Sequence, residues 1–365
     1  MVSFALRAAL IAAVLALAAC AAGPSLPKAP DYAAWSRPSK IAAEPARRVL
    51  IPRASSPEYL RSWGVRQVNP DPAFRLGYTG RGVTIAVIDT GLNWAQPEVM
   101  GQALGASTDL IAERRLDSRS SRHGGELAGA ISAALDGGGL VGVAYGASLL
   151  SVRADIDGSC QTECAFRTAD LARGMDYATA HGAKVIVLAV TGPHRLSARF
   201  EAALQRAVEA GVVIVAAAGN ETAADPSWPA RYAADPRFAH SVIAVGAATP
   251  SLSLAAWSNR AGMTRERYVA APGERVFAGC DAKFCQVVSG TSFAAPYVAG
   301  GLALILEARP DLTAQQAADL LLSSARRPVG TSEAKLGRGF LDIGHALEAA
   351  ERRRRIATAQ EGAGG

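Results

Sequence analysis

From residue 83 onward, short apolar runs alternate with stretches of helical spacing. Residues 83–88 (VTIAVI), 148–152 (SLLSV), 185–190 (VIVLAV), 212–217 (VVIVAA) and 242–245 (VIAV) are apolar and rich in β-branched side chains, with little alternation. Such runs are expected of strands buried on both faces. Between them, residues 123–135, 168–181, 197–210 and about 291–307 carry helical spacing. Ser197 is a candidate N-cap, and a last helix begins at Thr313, where Gln316 completes a capping-box pattern. Strands alternating with helices predict an α/β fold of three layers, a mostly parallel central sheet covered by helices on both faces. No internal repeat is visible.

The ends of the chain differ from this pattern. Arg7 precedes an uncharged apolar stretch, Ala8 to Ala19, that has the form of a signal-peptide core and is too short for a comfortable membrane span. Residues 20–57 are rich in Pro, Ala and Ser without hydrophobic period and read as a tether. The organisation expected is a signal at 1–19, the tether at 20–57, one domain at 58–351 and a basic, flexible tail at 352–365.

Composition narrows the function. Half of the 365 residues are hydrophobic and 19% are charged, which supports a large core and excludes global disorder. The net charge of +6 comes almost wholly from arginines, scattered except at Arg352 to Arg355, and aromatics are only 6%. A nucleic-acid binder would concentrate its basic residues in a stripe, so no nucleic-acid partner is expected. Beyond Cys20, four cysteines fall in two close pairs, Cys160/Cys164 and Cys280/Cys285. Three pairings are open, of which local closure is the simplest; the second pair reads as a hairpin tip. A zinc site is the rival, but these spacings are wider than the tight pairs of structural zinc, and export favours disulfides. No metal is expected.

Candidate chemistry sits at the ends of elements, where α/β sheets place their sites. Asp89 follows directly on the run 83–88, and His123 opens a glycine-led helix. Asn220 ends the run 212–217 through Ala218-Gly219. Ser292 lies where the glycine turn Ser289-Gly290-Thr291 feeds a helix start, beside free backbone N–H groups and the positive end of the dipole. Each motif alone is commonly a turn or a cap; the four together suggest nucleophilic catalysis.

Val87-Ile88-Asp89-Thr90-Gly91, His123-Gly124, Ala218-Gly219-Asn220 and Gly290-Thr291-Ser292-Phe293-Ala294-Ala295-Pro296 resemble the signature blocks of the subtilisin-like serine proteases, the subtilases. The order Asp…His…Ser is the one known for subtilisin. Gly77 to Gly82, Gly142 to Tyr145 and Gly337 to Leu347, the last resembling the family's closing helix, extend the resemblance to roughly residues 58–350. It implies a serine endopeptidase with Ser292 as nucleophile, His123 as base, Asp89 orienting the imidazole, and an oxyanion hole of Asn220 and the Ser292 N–H. An extended substrate would pair with Ala189, Val190, Thr191 and Gly192, against a wall of Ala217, Ala218 and Gly219 whose small side chains suit a broad apolar preference. Protein or peptide substrates, a monomer and no required cofactor are implied; calcium sites do not carry over, since no matching acidic loop is visible.

Leu17-Ala18-Ala19-Cys20 resembles the bacterial lipobox, which implies lipidation of Cys20, export and membrane anchoring. Ala21 in place of Asp points to the outer membrane in a Gram-negative host; the alternative is ordinary cleavage and a soluble exported protein. Two departures stand out. The histidine block reads His123-Gly124-Gly125-Glu126, where subtilases usually have a second histidine in place of the glutamate, and Thr191 stands where they usually have glycine. The branched Thr191 side chain would crowd an approaching substrate backbone. A degenerate subtilase acting as a binding or scaffold lipoprotein is the competing reading. A serine esterase of the α/β-hydrolase type is excluded by chain order and by the lack of its Gly-x-Ser-x-Gly elbow.

Overall fold

The computed structural model describes residues 50–92, 97–111, 114, 122–160, 164–280 and 284–363. The signal, most of the tether and Cys20 lie outside the described residues.

Seven strands form one parallel sheet: β1 (Thr84–Asp89), β2 (Thr108–Asp109), β3 (Ser148–Arg153), β4 (Val185–Leu188), β5 (Val213–Ala217), β6 (Val242–Ala248) and β7 (Tyr268–Pro272). Their order across the sheet is β2-β3-β1-β4-β5-β6-β7. An antiparallel pair, β8 (Val276–Ala278) and β9 (Gln286–Val288), stands apart. The helices are α1 (Pro57–Arg61), α2 (Trp63–Gln67), α3 (Asp71–Arg75), α4 (Pro97–Met100), α5 (His123–Ser132), α6 (Thr168–Ala180), α7 (Ala198–Glu209), α8 (Thr291–Ala308), α9 (Ala314–Ser323), α10 (Glu333–Leu336) and α11 (Ile343–Ala363).

The unbroken apolar runs are explained by two cores. Ile85 and Val87 of β1 belong to one, with Leu127 and Ile131 of α5 and most of α8. Ala86 and Ile88, one residue along in each case, belong to the other, with Leu171 and Met175 of α6 and Phe200 and Leu204 of α7. Successive side chains of a strand point to opposite faces, so a strand covered on both sides must be apolar throughout. The three-layer α/β expectation holds. α8 is long and apolar enough to cross a membrane, but it is a core helix, buried on nearly every residue.

Boundaries moved little. Ser197 caps α7 by accepting from the Phe200 N–H, and Thr313 and Gln316 make the expected capping box on α9. The periodicity ends the helices at α9, but a helix follows where Gly337 to Leu347 resembles the family's closing helix. α11 runs to Ala363, through the stretch expected to be a flexible tail from residue 352, because Ala, Glu, Arg and Gln are strong helix formers and glycine enters only at 362. The lead-in at 77–82 docks on α8: the N–H groups of Thr79, Gly80 and Arg81 converge on Glu307 Oε2 at 2.5, 2.6 and 3.1 Å. Both local cysteine pairs, Cys160–Cys164 and Cys280–Cys285, are disulfide-bonded, and the second joins the ends of the loop between β8 and β9.

The sheet order fixes where a site can form. The chain leaves β1 toward β2 and β3 on one side, and later enters β4 on the other. The carboxyl end of β1 is therefore a switch point, where crossovers diverge and open a crevice. Asp89 is the last residue of β1.

Candidate active site

Asp89 is fully buried. A carboxylate there needs hydrogen bonds to offset its desolvation. Its Oδ1 accepts from the Thr90 N–H at 2.8 Å and lies 2.8 Å from His123 Nδ1. Oδ2 has no hydrogen-bond partner among the described residues. The β1 end and the α5 start are held together by contacts around the motif residues. Thr90 Oγ1 accepts from the Gly124 N–H at 3.0 Å, and a Cβ on Gly124 would meet the Gly91 carbonyl oxygen at 2.4 Å. Only glycine permits that approach, so the Gly after His123 is a packing requirement.

The His123 side chain is 28% exposed. Burial pulls its pKa down, but the charge and hydrogen bond of Asp89 and the charge of Glu126 more than offset this, and the net shift is upward. Its ring packs edge-on against Phe293, 5.3 Å between centroids, which brings the imidazole beside the residue following Ser292.

Ser292 lies in the first turn of α8, whose leading N–H groups have no partner within the helix. Its hydroxyl donates to the Ala189 carbonyl at 3.0 Å. Ala189 follows directly on β4, so the serine stands against the first residue of the segment expected to receive substrate. Further along that segment, Gly192 exchanges backbone hydrogen bonds with Trp228 at 2.9 Å in each direction, and Thr191 is exposed.

Asn220 is anchored by its carbonyl. Oδ1 accepts from both the N–H and the hydroxyl of Thr291, each at 2.9 Å, leaving the amide NH2 as the group free to donate elsewhere. Thr291 Oγ1 also accepts from the Gly219 N–H at 3.0 Å. Thr291 is thus the joint between the β5 end and the α8 start. No role was read for it, or for Thr90, from sequence; a hydroxyl beside a reactive residue at an element end was the available signal.

Of the opposite wall, Ala217 and Ala218 are fully buried. Gly219 has φ +105°, and a Cβ there would strike Asn259 Nδ2, Glu221 Oε2 and Ser227 Oγ at 2.4, 2.5 and 2.8 Å. The wall expected to be simply apolar therefore adjoins a polar cluster, in which Glu221 Oε2 accepts from Asn259 at 2.6 Å and from Ser227 at 3.1 Å.

Sequence reasoning did not find an ionic network at the carboxyl ends of β2 and β3. The Arg153 guanidinium is 1% exposed and donates to Asp155 at 2.8 Å, while Arg114 bridges Asp109 at 3.0 Å and Asp155 at 3.2 Å. Arg153 pairs in register with Asp89 across β1 and β3, which puts this network directly behind the site. Among the described residues, no group of three or more His, Cys, Asp or Glu could hold a metal ion.

Residues 80–342 match the sequence model of the Subtilase family. The chain is 33% identical over 275 residues to subtilisin E of Bacillus subtilis (strain 168), covering 73% of this chain and 67% of that protein. It is 30% identical over 303 residues to the major intracellular serine protease of the same organism, covering 79% and 90%. Subtilisin BL of Lederbergia lenta is 32% identical over 267 residues, covering 72% and 90%.

Proposed function

The chain belongs to the subtilase family, and on that premise we propose that it is a serine endopeptidase working through Asp89, His123 and Ser292. The observation that carries this reading is the 2.8 Å contact between a fully buried Asp89 and His123 Nδ1, which leaves Nε2 as the nitrogen for the serine proton. The Ser292 hydroxyl turns from the Ala189 carbonyl to the imidazole and attacks the peptide carbonyl carbon as His123 takes its proton. Asp89 holds the tautomer and stabilises the imidazolium. The tetrahedral oxyanion is received by the Ser292 N–H and the Asn220 NH2. Collapse expels the amine with the proton returned by His123, and water then hydrolyses the acyl-enzyme by the same route. Side chains and water suffice, and no cofactor takes part.

Purified protein should cleave a denatured protein substrate and lose that activity to a reagent that acylates or phosphonylates serine. Stable, untouched substrate would reject the reading. Asn220→Ala should lower kcat by about 10²–10³, the loss known for the corresponding donor in subtilisin, with little change in KM. The support is the anchoring of Asn220 through its carbonyl alone; an unchanged kcat would remove it from the oxyanion hole.

For substrate, we propose a broad apolar preference at the residue before the scissile bond, since Glu221 is already engaged by Asn259 and Ser227. One methylene in such a pocket is worth only ~1–3 kcal/mol, so discrimination among apolar residues should be shallow. A peptide library that favours lysine or arginine there would overturn this.

The lipobox-like Leu17-Ala18-Ala19-Cys20 supports lipidation at Cys20 and a membrane-anchored, exported protein. One acyl chain binds reversibly, whereas two or more hold stably. Cys20→Ser should therefore move the protein from the membrane pellet to the soluble fraction. A mature wild-type protein whose intact mass shows no acyl group would instead favour ordinary signal cleavage.

A further inference from the structure

Glu126 is a buried carboxylate that the reaction as written does not use. It lies in the first turn of α5, is 5% exposed, and stands three residues after His123, so the two side chains are neighbours on one helix face. Burying a charge there is costly unless other groups meet it. Two do. Arg122 Nε lies 3.8 Å from Glu126 Oε1. Gln286 of β9, with its amide oriented to suit both neighbours, donates to Glu126 Oε1 at 3.1 Å and accepts from Arg122 Nη1 at 3.0 Å. Arg122 also donates to the Gly279 carbonyl at 2.7 Å, on the other side of the disulfide-closed hairpin.

The hairpin is thereby tied to α5 from both its limbs, and β9 is separated from Thr291 and Ser292 only by Ser289 and Gly290. The segment running into Ser292 and the helix carrying His123 are cross-linked through one carboxylate.

We propose that Glu126 is a positioning residue for the catalytic pair: clamped by Arg122 and Gln286, it sets the first turn of α5 against the strand that leads to Ser292 and supplies a second negative charge beside the imidazole. The proposal rests on the reading of His123 as the base. The titratable groups on the elements packed against α5 are Asp89 of β1, Glu98 of α4, Arg153 of β3, and Tyr297 and Glu307 of α8, with none on β8. Of these, Asp89 acts on the pair, together with Arg122. Burial, with the Asp89 charge, holds the Glu126 pKa above the usual carboxylate value, and His123 and Arg122 offset this only in part; through that attraction the carboxylate and the imidazolium favour each other's charged forms.

Glu126→Gln keeps the shape and removes the charge. It should lower kcat on the order of tenfold, short of the 10²–10⁴ that a general base supplies, with KM nearly unchanged. Because Glu126 raises the His123 pKa, its loss should move the acid limb of kcat/KM to lower pH, and Glu126→Asp should move that limb back. Gln286→Ala, at an exposed position, should lower kcat while leaving the acid limb in place. It keeps the clamp testable even if Glu126→Gln folds poorly; an unchanged kcat in Gln286→Ala would refute the clamp.

The His123 imidazole titration, followed by NMR in full-length protein, should move the same way in Glu126→Gln whether or not the protein cleaves peptides. Failure of the base reading is thereby kept distinct from failure of the clamp. An imidazole titration and an acid limb both unmoved in Glu126→Gln would overturn the proposal.

Discussion

Ser292→Ala should reduce peptide cleavage by about 10⁶-fold, leaving only what the oxyanion donors and substrate binding provide; this is the scale known for loss of the nucleophile in subtilisin itself. The size follows from what the side chain does. Its oxygen forms the acyl bond, and neither the neighbouring Thr291 hydroxyl, engaged with Gly219 and Asn220, nor a water held by His123 can take its place in that geometry. The change deletes one oxygen at a partly exposed position whose structural hydrogen bond is a single contact to Ala189. The melting temperature should therefore stay close to wild type. Turnover of a peptide substrate, measured beside thermal unfolding, separates the two effects. Activity within tenfold of wild type in a folded variant would contradict a serine mechanism at this residue.

Asp89→Asn should cost about 10⁴-fold in kcat, the size of the same change in other serine-protease triads. The asparagine fits the buried site, and its oxygen can still accept from the Thr90 N–H. What it removes is the charge that, against the pull of burial, raises the basicity of His123. Because Oδ1 serves both the Thr90 N–H and His123, an NH2 turned into its place would forfeit the Thr90 bond and fix the tautomer with the proton toward Ser292, where no proton can be received. The pH dependence carries the sign. A base with a raised pKa becomes protonated, and inactive, already above the ordinary histidine range as pH falls. Without the Asp89 charge the acid limb should lie at lower pH. A variant with normal kcat, or with an acid limb at higher pH, would contradict the orienting role.

The fold was legible because it depends on patterns that a single chain carries. Val185 to Leu188 and Val213 to Ala216 read as strands buried on both faces, and the two cores account for them residue by residue. Asp89 could be placed from its position at the end of β1, but its partner could not. The 33 residues between Asp89 and His123 are closed by the Gly124–Gly91 approach and the Thr90 hydroxyl, neither of which has a period to read. The same holds for Thr291, whose role comes from meeting a loop that lies 71 residues away in sequence. The ionic network of Arg153, Arg114, Asp109 and Asp155 was invisible because each residue, taken alone, reads as a solvated charge. The end from residue 352 misleads in the opposite sense: a run of arginines suggests a loose end, yet Ala and Glu around it carry the helix onward to Ala363.

The joint action of Ser292 and His123 is tested most directly by a fluorophosphonate probe on purified protein, followed by mass mapping of the labelled residue. The probe reacts with a serine only when a base has activated it and an oxyanion site receives the phosphonyl oxygen. Labelling should map to Ser292, vanish in Ser292→Ala, and fall steeply in Asp89→Asn. Folded wild-type protein that stays unlabelled, or a label that persists in Ser292→Ala, would contradict the proposed mechanism.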